Sequence, residues 1–352
     1  MLKTIPLIQH LHSLNHPSVQ NIERLLTQKY PGLSTEAPSS TEKSVLLITG
    51  GYAGSGRSLS TVEVYPSTSG CSPPDLPTER DEHTTFLTSE PNPVIATCGG
   101  RFGSDATASC LVLDKSSQRW DESRMGNLTM PRSSSAVATL NSVGVFIIGG
   151  SAANNAGTSE FLAAGKMQWQ AGPDLPVDMK YGPCAVAITS TSFLAIYGNH
   201  ILEFDAAKDG PTSIDGWRKA GRWPRLKTSR TTQPGCAKLG RKVIIAGGQY
   251  NIGLNRGVDR STEVLDLDSR EITAGGPMAT PRFNFHLATI RSGGEEKMFA
   301  VAGWGDLTSL STVEELVEVE ESTTWRKADS FLAEERGFFG VVAVPEEFLC
   351  PA

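Results

Sequence analysis

Hydrophobic and polar positions along this chain recur as a unit. Its clearest copy is residues 131–150, PRSSSAVATLNSVGVFIIGG. A Pro-Arg turn leads into an alternating stretch, Ala136–Leu140, then a polar turn at Asn141 and Ser142, then an unbroken apolar run that stops at two glycines. Alternation predicts a strand with one buried face, and a continuous β-branched run predicts a strand buried on both. The glycine pair permits a left-handed exit and a close backbone approach that a Cβ would obstruct.

The apolar run and its glycines return as VLLITGG ending at Gly51, VIATCGG at Gly100, VFIIGG at Gly150, LAIYG at Gly198, VIIAGG at Gly248 and MFAVAGW at Trp304, in steps of 49, 50, 48, 50 and 56. The fourth copy has Tyr197 for the first glycine and the sixth has Trp304 for the second. Beyond the glycines comes Glu63, Glu160, Glu203, Glu263 or Glu314, with Cys110 in that place in the second copy. A Trp follows in four copies (Trp120, Trp169, Trp217, Trp325), and Arg80, Arg132, Arg230, Arg282 or Arg336 closes the unit. These marks, in one register with a period near ~50, resemble the kelch-repeat proteins over residues 43–348. The resemblance implies a six-bladed kelch-type β-propeller with one four-stranded blade per repeat.

The first copy lacks its own alternating strand, since only STEK precedes its apolar run. From Arg336 the stretch RGFFGVVAV has that phase, with no second strand after it. A strand at 339–344 is therefore expected to complete the first blade beside 45–49, closing the ring and removing two open edges. Residues 1–42 lie outside the repeats. There Val19, Ile22, Leu25 and Leu26 share one helical face, Pro31 and Gly32 end it, and a polar linker follows. The expected organisation is all-β, with a short helical extension and linker over 1–42 and the propeller over 43–349.

Composition bounds what such a ring does. A net charge of −6 with no basic stripe argues against nucleic acid as partner. No apolar run approaches the ~18 residues of a membrane span, so a soluble chain is expected. Cys98 and Cys110 flank a hairpin centred on Ser104 and form a candidate disulfide; Cys184 and Cys236 begin the first strands of the fourth and fifth copies. Buried small hydrophobes are the alternative for all four. The start of the chain shows no signal-peptide pattern, so a cytoplasmic location is expected, or an extracellular one if the cysteines pair. The triplet Asn127-Leu128-Thr129 is a glycosylation acceptor only in the second case.

The repeated glutamates could form a cation-binding ring, but a residue needed once per repeat usually answers a problem posed once per repeat. Here that is accepting backbone N–H groups or pairing the Pro-Arg arginine. His10, His12 and His16 lack a thiolate or carboxylate at ligand spacing. His83, His200 and His286 do not assemble with tyrosines into a set resembling the copper oxidases of this fold. The stretch from Asp75 through Glu79 to His83 resembles the iron spacing of plant specifier proteins, but with the acids in a different order. No nucleophile elbow, phosphate loop or His-Glu-x-x-His is present. No catalytic residue, metal or cofactor is therefore expected. The expectation is a protein-interaction module that binds a protein or peptide through the loops of one face, where Arg, Tyr, Trp and Phe carry interface energy. The candidates are Arg101, Arg132, Tyr181, Tyr250, Arg256, Arg282, Phe283, Asn284 and Trp304. The fifth copy has the longest loop after its glycines and the fourth the shortest, which predicts a lopsided rim. The alternative is a metal-independent small-molecule or sugar-modifying enzyme, mutarotase-like, at the mouth of the channel.

Overall fold

The computed structural model describes residues 43–67, 72–89, 91–151, 155–218, 221–230, 232–252, 255–319 and 322–349, with backbone alone at 251, 252, 255, 256, 319 and 322. The expected helix near residues 17–30 and the three N-terminal histidines lie outside the described residues. The rest is a six-bladed, almost entirely antiparallel β-propeller. Blade two runs outward as Thr84–Leu87, Ile95–Cys98, Cys110–Asp114 and Arg119–Asp121. Blade three is Ala136–Leu140, Gly144–Ile148, Ser159–Ala163 and Gln170–Ala171. Blade five is Gly235–Leu239, Lys242–Ala246, Thr262–Asp266 and Ile272–Gly275, and blade six is His286–Ser292, Glu295–Trp304, Ser309–Val319 and Ser322–Lys327. Blade four has three strands, Cys184–Ala187, Ser192–Tyr197 and His200–Asp205; outside them Trp217 bridges Phe204.

Blade one is built from both ends of the described chain. Its strands are Gly340–Pro345, Ser44–Ala53 and Arg57–Tyr65, with Thr49 opposite Gly340 and Ser44 opposite Pro345. The expected closure is therefore present, one residue later than expected at each end. The six inner strands touch their neighbours in a complete circle. Hydrophobic clusters between blades hold the circle together, with Trp169, Trp217 and Trp325 buried in three of them.

The repeated arginine and glutamate form a buried clamp in four blades. In blade three Arg132 pairs with Glu160 at 3.1 Å and donates to the carbonyls of Gly149 and Thr158. Glu160 also accepts the backbone N–H groups of Thr129 and Met130 at 2.7 and 3.0 Å. The same set returns as Arg230 with Glu263, Arg282 with Glu314, and Arg336 with Glu63. In each case the glutamate takes two N–H groups from the segment two and three residues before the arginine. The clamp thus joins the approach to a blade, its glycine turn and its third strand through charge-assisted hydrogen bonds.

Blades two and four depart from this pattern, and strand register shows why. Position 160 pairs with Ile147, and the equivalent residue in blade two is Leu111, opposite Thr97, not Cys110. Arg80 there bonds only Gly99 O and Ser109. Pro77 stands three residues before Arg80, so one of the N–H groups that a glutamate would accept does not exist. In blade four Leu202 holds the register place, one residue before Glu203. Glu203 instead accepts from Trp223 Nε1 at 2.8 Å and pairs with Arg222 at 2.7 Å. The place of the arginine is taken by Lys180, which is exposed. Each of these two blades carries a disulfide. Cys98–Cys110 links neighbouring strands of blade two, with Cα atoms 4.2 Å apart. Cys184–Cys236 links the inner strands of blades four and five.

The sixth glycine mark also shifts by one. Arg282 donates to Ala302 O where the other clamps use the first glycine of the pair, and Ala302 itself has φ 48°. The first glycine is therefore replaced, by Ala302, and Gly303 is the second.

Candidate functional site

The inner strands enclose a channel of about 500 Å³ lined by all six blades. Just before each inner strand, at the end where the glycine turns lie, one residue has a left-handed backbone. These are Glu82 (φ 54°), Ser134 (52°), Gly182 (60°), Gln233 (38°), Asn284 (51°) and Phe338 (56°). They form a collar around the mouth, and all six line the channel. Backbone hydrogen bonds run from blade to blade around it: Glu82 N to Phe338 O, Ser134 N to Glu82 O, Phe338 N to Asn284 O and Asn284 N to Gln233 O, at 2.7–3.3 Å. A left-handed backbone costs a residue with a Cβ about 1 kcal/mol relative to glycine.

Side chains of the collar are unequally satisfied. The Ser134 hydroxyl donates to Glu82 Oε2 at 2.8 Å, and Arg101 lies 3.7 Å from Glu82 Oε1. Asn284 is 4% exposed, yet neither its amide oxygen nor its amide nitrogen has a partner in the protein; Gln233 Oε1 is likewise unpartnered. Deeper in the channel wall His83 Nε2 is hydrogen-bonded to the Thr49 hydroxyl at 2.9 Å, and His286 Nε2 to Phe339 O at 2.9 Å. Burial, aided by nearby Arg80, drives His83 far below the usual histidine range. Burial pushes His286 down to about 4. Both imidazoles are therefore neutral at physiological pH. Beside the collar, burial pushes Asp81 up to about 6 against the opposing hydrogen bond from Ser58 Oγ at 2.5 Å.

Around the mouth the rim is uneven, as the loop lengths predict. In blades one and six the second and third strands continue past a bulge at the glycine turn, pairing Ala53 with Arg57 and Trp304 with Ser309. Blades two and five carry separate small hairpins, Arg101–Phe102 with Asp105–Ala106 and Gln249–Ile252 with Asn255–Val258. Four adjacent blades thus raise an arc, whereas blade four turns back directly between Tyr197 and His200. Tyr52 and Trp304 stack with centroids 6.3 Å apart, and Gly54 N donates to Ser309 Oγ at 2.7 Å, tying the hairpins of blades one and six. Of the five exposed large hydrophobic residues among those described, Phe102 (58%), Tyr181 (51%) and Leu307 (94%) stand on this face, which makes it the more adhesive end of the ring.

The sequence-derived candidates divide accordingly. Arg132 and Arg282 are buried clamp residues and are not available to a partner; their charges are paired with Glu160 and Glu314 inside blades three and six. Asn284 is in the collar, not on the rim. Arg101, Tyr181, Tyr250, Phe283 and Trp304 are half-buried or exposed around the mouth. The side chain of Arg256 lies outside the described residues. Sequence reasoning passed over Glu82, Ser134 and Gln233, because the collar shares a backbone angle and no residue type. Among the described residues no group of three or more His, Cys, Asp or Glu side chains could hold a metal. No helix among them is long and apolar enough to cross a membrane.

No family model and no curated protein matches the sequence. Among solved structures the chain is similar to that of YjhT, with a TM-score of 0.61 and 11% identity over 83% of this chain and 99% of that one. The likeness shows the fold alone.

Proposed function

We propose that this six-bladed ring is a kelch-type interaction module that receives a peptide or protein on the face bearing the raised hairpins, without a catalytic centre of its own. The observation that carries the reading is the arc over blades five, six, one and two, where Phe102, Leu307 and the Tyr52–Trp304 stack surround an open channel mouth. The recurring Arg–Glu clamp and glycine turns support the kelch type. Arg101, Tyr181, Tyr250, Phe283 and Trp304 remain the contact residues of this reading; Arg132 and Arg282 are withdrawn from it.

The test is affinity capture by the full chain followed by titration of the captured partner against Phe102→Ala, Leu307→Ala, Arg101→Ala and Tyr250→Ala, with Glu318→Ala on an outer strand as control. A hot-spot residue costs about 2 kcal/mol, roughly thirtyfold in affinity. Wild-type binding by all four rim variants, at unchanged melting temperature, removes the reading. A second reading, a small-molecule site, is favoured by the unpartnered Gln233 Oε1 and the unpartnered Asn284 amide. A metabolite that raises the melting temperature of the rim variants as much as that of the wild type would favour it.

The two disulfides support an oxidising compartment, since such bonds persist outside the cytosol. In that setting the exposed Asn127 is open to glycosylation. Secretion from a eukaryotic host with no glycosidase-sensitive mass shift would argue against it.

A further inference from the structure

The collar differs from every other repeated position in this ring. At the clamps and glycine turns the same residue returns in most blades, as expected where each blade poses the same structural demand. At the collar the backbone is the same in all six blades and the residue is different in each: Glu82, Ser134, Gly182, Gln233, Asn284 and Phe338. Glycine adopts a left-handed backbone without steric cost, so folding alone favours glycine at all six places. It is present only at 182, where a Cβ would collide with the side chain of Gln233. Five side chains are thus kept against the preference of their own backbone, and all five line the channel. The Asn284 side chain contributes no hydrogen bond to the protein, so polar bonding within the fold does not account for it.

Size and polarity narrow what fits. Four of the six neighbouring collar pairs are joined by backbone hydrogen bonds, and Gln233 N donates to Tyr181 O beside Gly182, so the collar approximates a hexagon with sides near ~5 Å, about 10 Å across between backbones. That admits one small head group or one extended chain end and excludes a folded element. Among the fully buried collar atoms, unpartnered acceptors outnumber unpartnered donors. Gln233 Oε1 and Asn284 Oδ1 are unpartnered, and Glu82 Oε1 has only Arg101, beyond hydrogen-bond distance at 3.7 Å. The one fully buried collar donor without a partner is Asn284 Nδ2. An ammonium group offers three donors and no acceptor. Phe338, next to Glu82 in the collar, adds an aromatic side chain of the kind that attracts a cation. The net charge of −6 draws cations toward the molecule.

We infer that the collar captures a primary ammonium group carried beside an amide, as at the amino terminus or a lysine of a peptide. Glu82 and Phe338 hold the ammonium, and the Asn284 amide pairs with the adjacent peptide group through its donor and acceptor while Gln233 Oε1 accepts a further N–H. The inference rests on the interaction reading and names what the partner presents at the centre of the face.

The test uses the full chain and ligand-observed saturation-transfer NMR with four probes: triglycine amide, its N-acetyl form, Nα-acetyl-lysine methylamide, and N-acetyl-alanine methylamide. Binding is expected for the first, the third or both, which separates the terminal from the side-chain source, and not for the two probes without an ammonium. The decisive variants are Asn284→Gly and Glu82→Gly. Because glycine relieves the backbone, Asn284→Gly should melt no lower than wild type while losing about tenfold in affinity, the scale of the two neutral amide hydrogen bonds it removes. Equal binding of the acetylated and free probes, binding of none, or wild-type affinity in both variants overturns the inference. So does a lower melting temperature for Asn284→Gly, which would make the side chain structural. If rim variants release a captured partner while collar variants retain it, the ammonium inference fails and the interaction reading stands.

Discussion

Removing one arm of the blade-three clamp tests the view that the repeated Arg and Glu serve the fold and not a partner. Arg132 is 1% exposed and Glu160 is 0% exposed. Arg132→Met retains much of the aliphatic volume but leaves the Glu160 carboxylate buried without a counter-ion, and strips donors from Gly149 O and Thr158 O. Breaking a buried pair from one side costs about 3–5 kcal/mol, and stranded carbonyls add to it, so a loss of about 4 kcal/mol is expected. Glu160→Gln should cost less, because an amide oxygen can still accept from Thr129 or Met130. The double variant leaves no buried charge, so its loss should fall short of the sum by about 1–3 kcal/mol. Blade two provides an internal comparison. Arg80 has no carboxylate in its clamp, and burial pushes its pKa down to about 10. Arg80→Met should therefore destabilise clearly less than Arg132→Met. Urea titration with an unchanged denaturant slope reads all four. A loss below about 1 kcal/mol for Arg132→Met, or an additive cycle, refutes the clamp as a stabilising device.

Other outcomes follow from the same geometry. Cys184→Ala with Cys236→Ala opens a 52-residue cross-link and should cost up to about 4 kcal/mol, against up to about 3 for the 12-residue Cys98–Cys110 link, read as melting temperatures without reductant. Deleting 336–352 removes the Arg336–Glu63 pair and the Gly340–Pro345 strand together and should yield insoluble protein; a truncated chain that melts like the full one rejects closure. His286 is held to about 4 against ~6.5 when unfolded, so the unfolded chain binds the extra proton between these values. Its contribution is present above pH ~6.5 and lost as pH falls toward 4, by up to about 3 kcal/mol, and His286→Gln should flatten that part of the pH–stability profile. Asp81 runs the other way. Its raised pKa of about 6 penalises the ionised native state at neutral pH, so Asp81→Asn should gain stability at pH 8 and lose that advantage by pH ~4.

The ring was legible in the sequence because each blade repeats the same demands. Glycine after an apolar run, an arginine before the inner strand and a glutamate after the turn are marks that the fold imposes, and their phase disclosed blade number and closure. What failed was register across turns of unequal length. Cys110 and Glu203 each fall one residue from the clamp position, and only their pairing with Cys98 and Leu194 reveals it. Ala302 hid the sixth turn because it adopts a glycine-like angle without being glycine. The sequence places Arg132 and Arg282 equally well as clamp partners and as surface candidates; burial decides for the first. The collar left no trace in the sequence, because dihedral angles repeat there while composition does not.

Blade one also sets a schedule for synthesis. Gly50 and Arg336 are 286 positions apart, and the inner strand of that blade follows Arg336. At roughly 5–20 residues per second, the edge of the strand Ser44–Ala53 waits about 15–60 s on the ribosome for its partner. Throughout that interval an apolar strand with unpaired N–H and C=O groups is open to any passing chain. The nascent protein therefore needs a surrogate for the strand Gly340–Pro345, and chaperone dependence should be greatest just before that strand emerges.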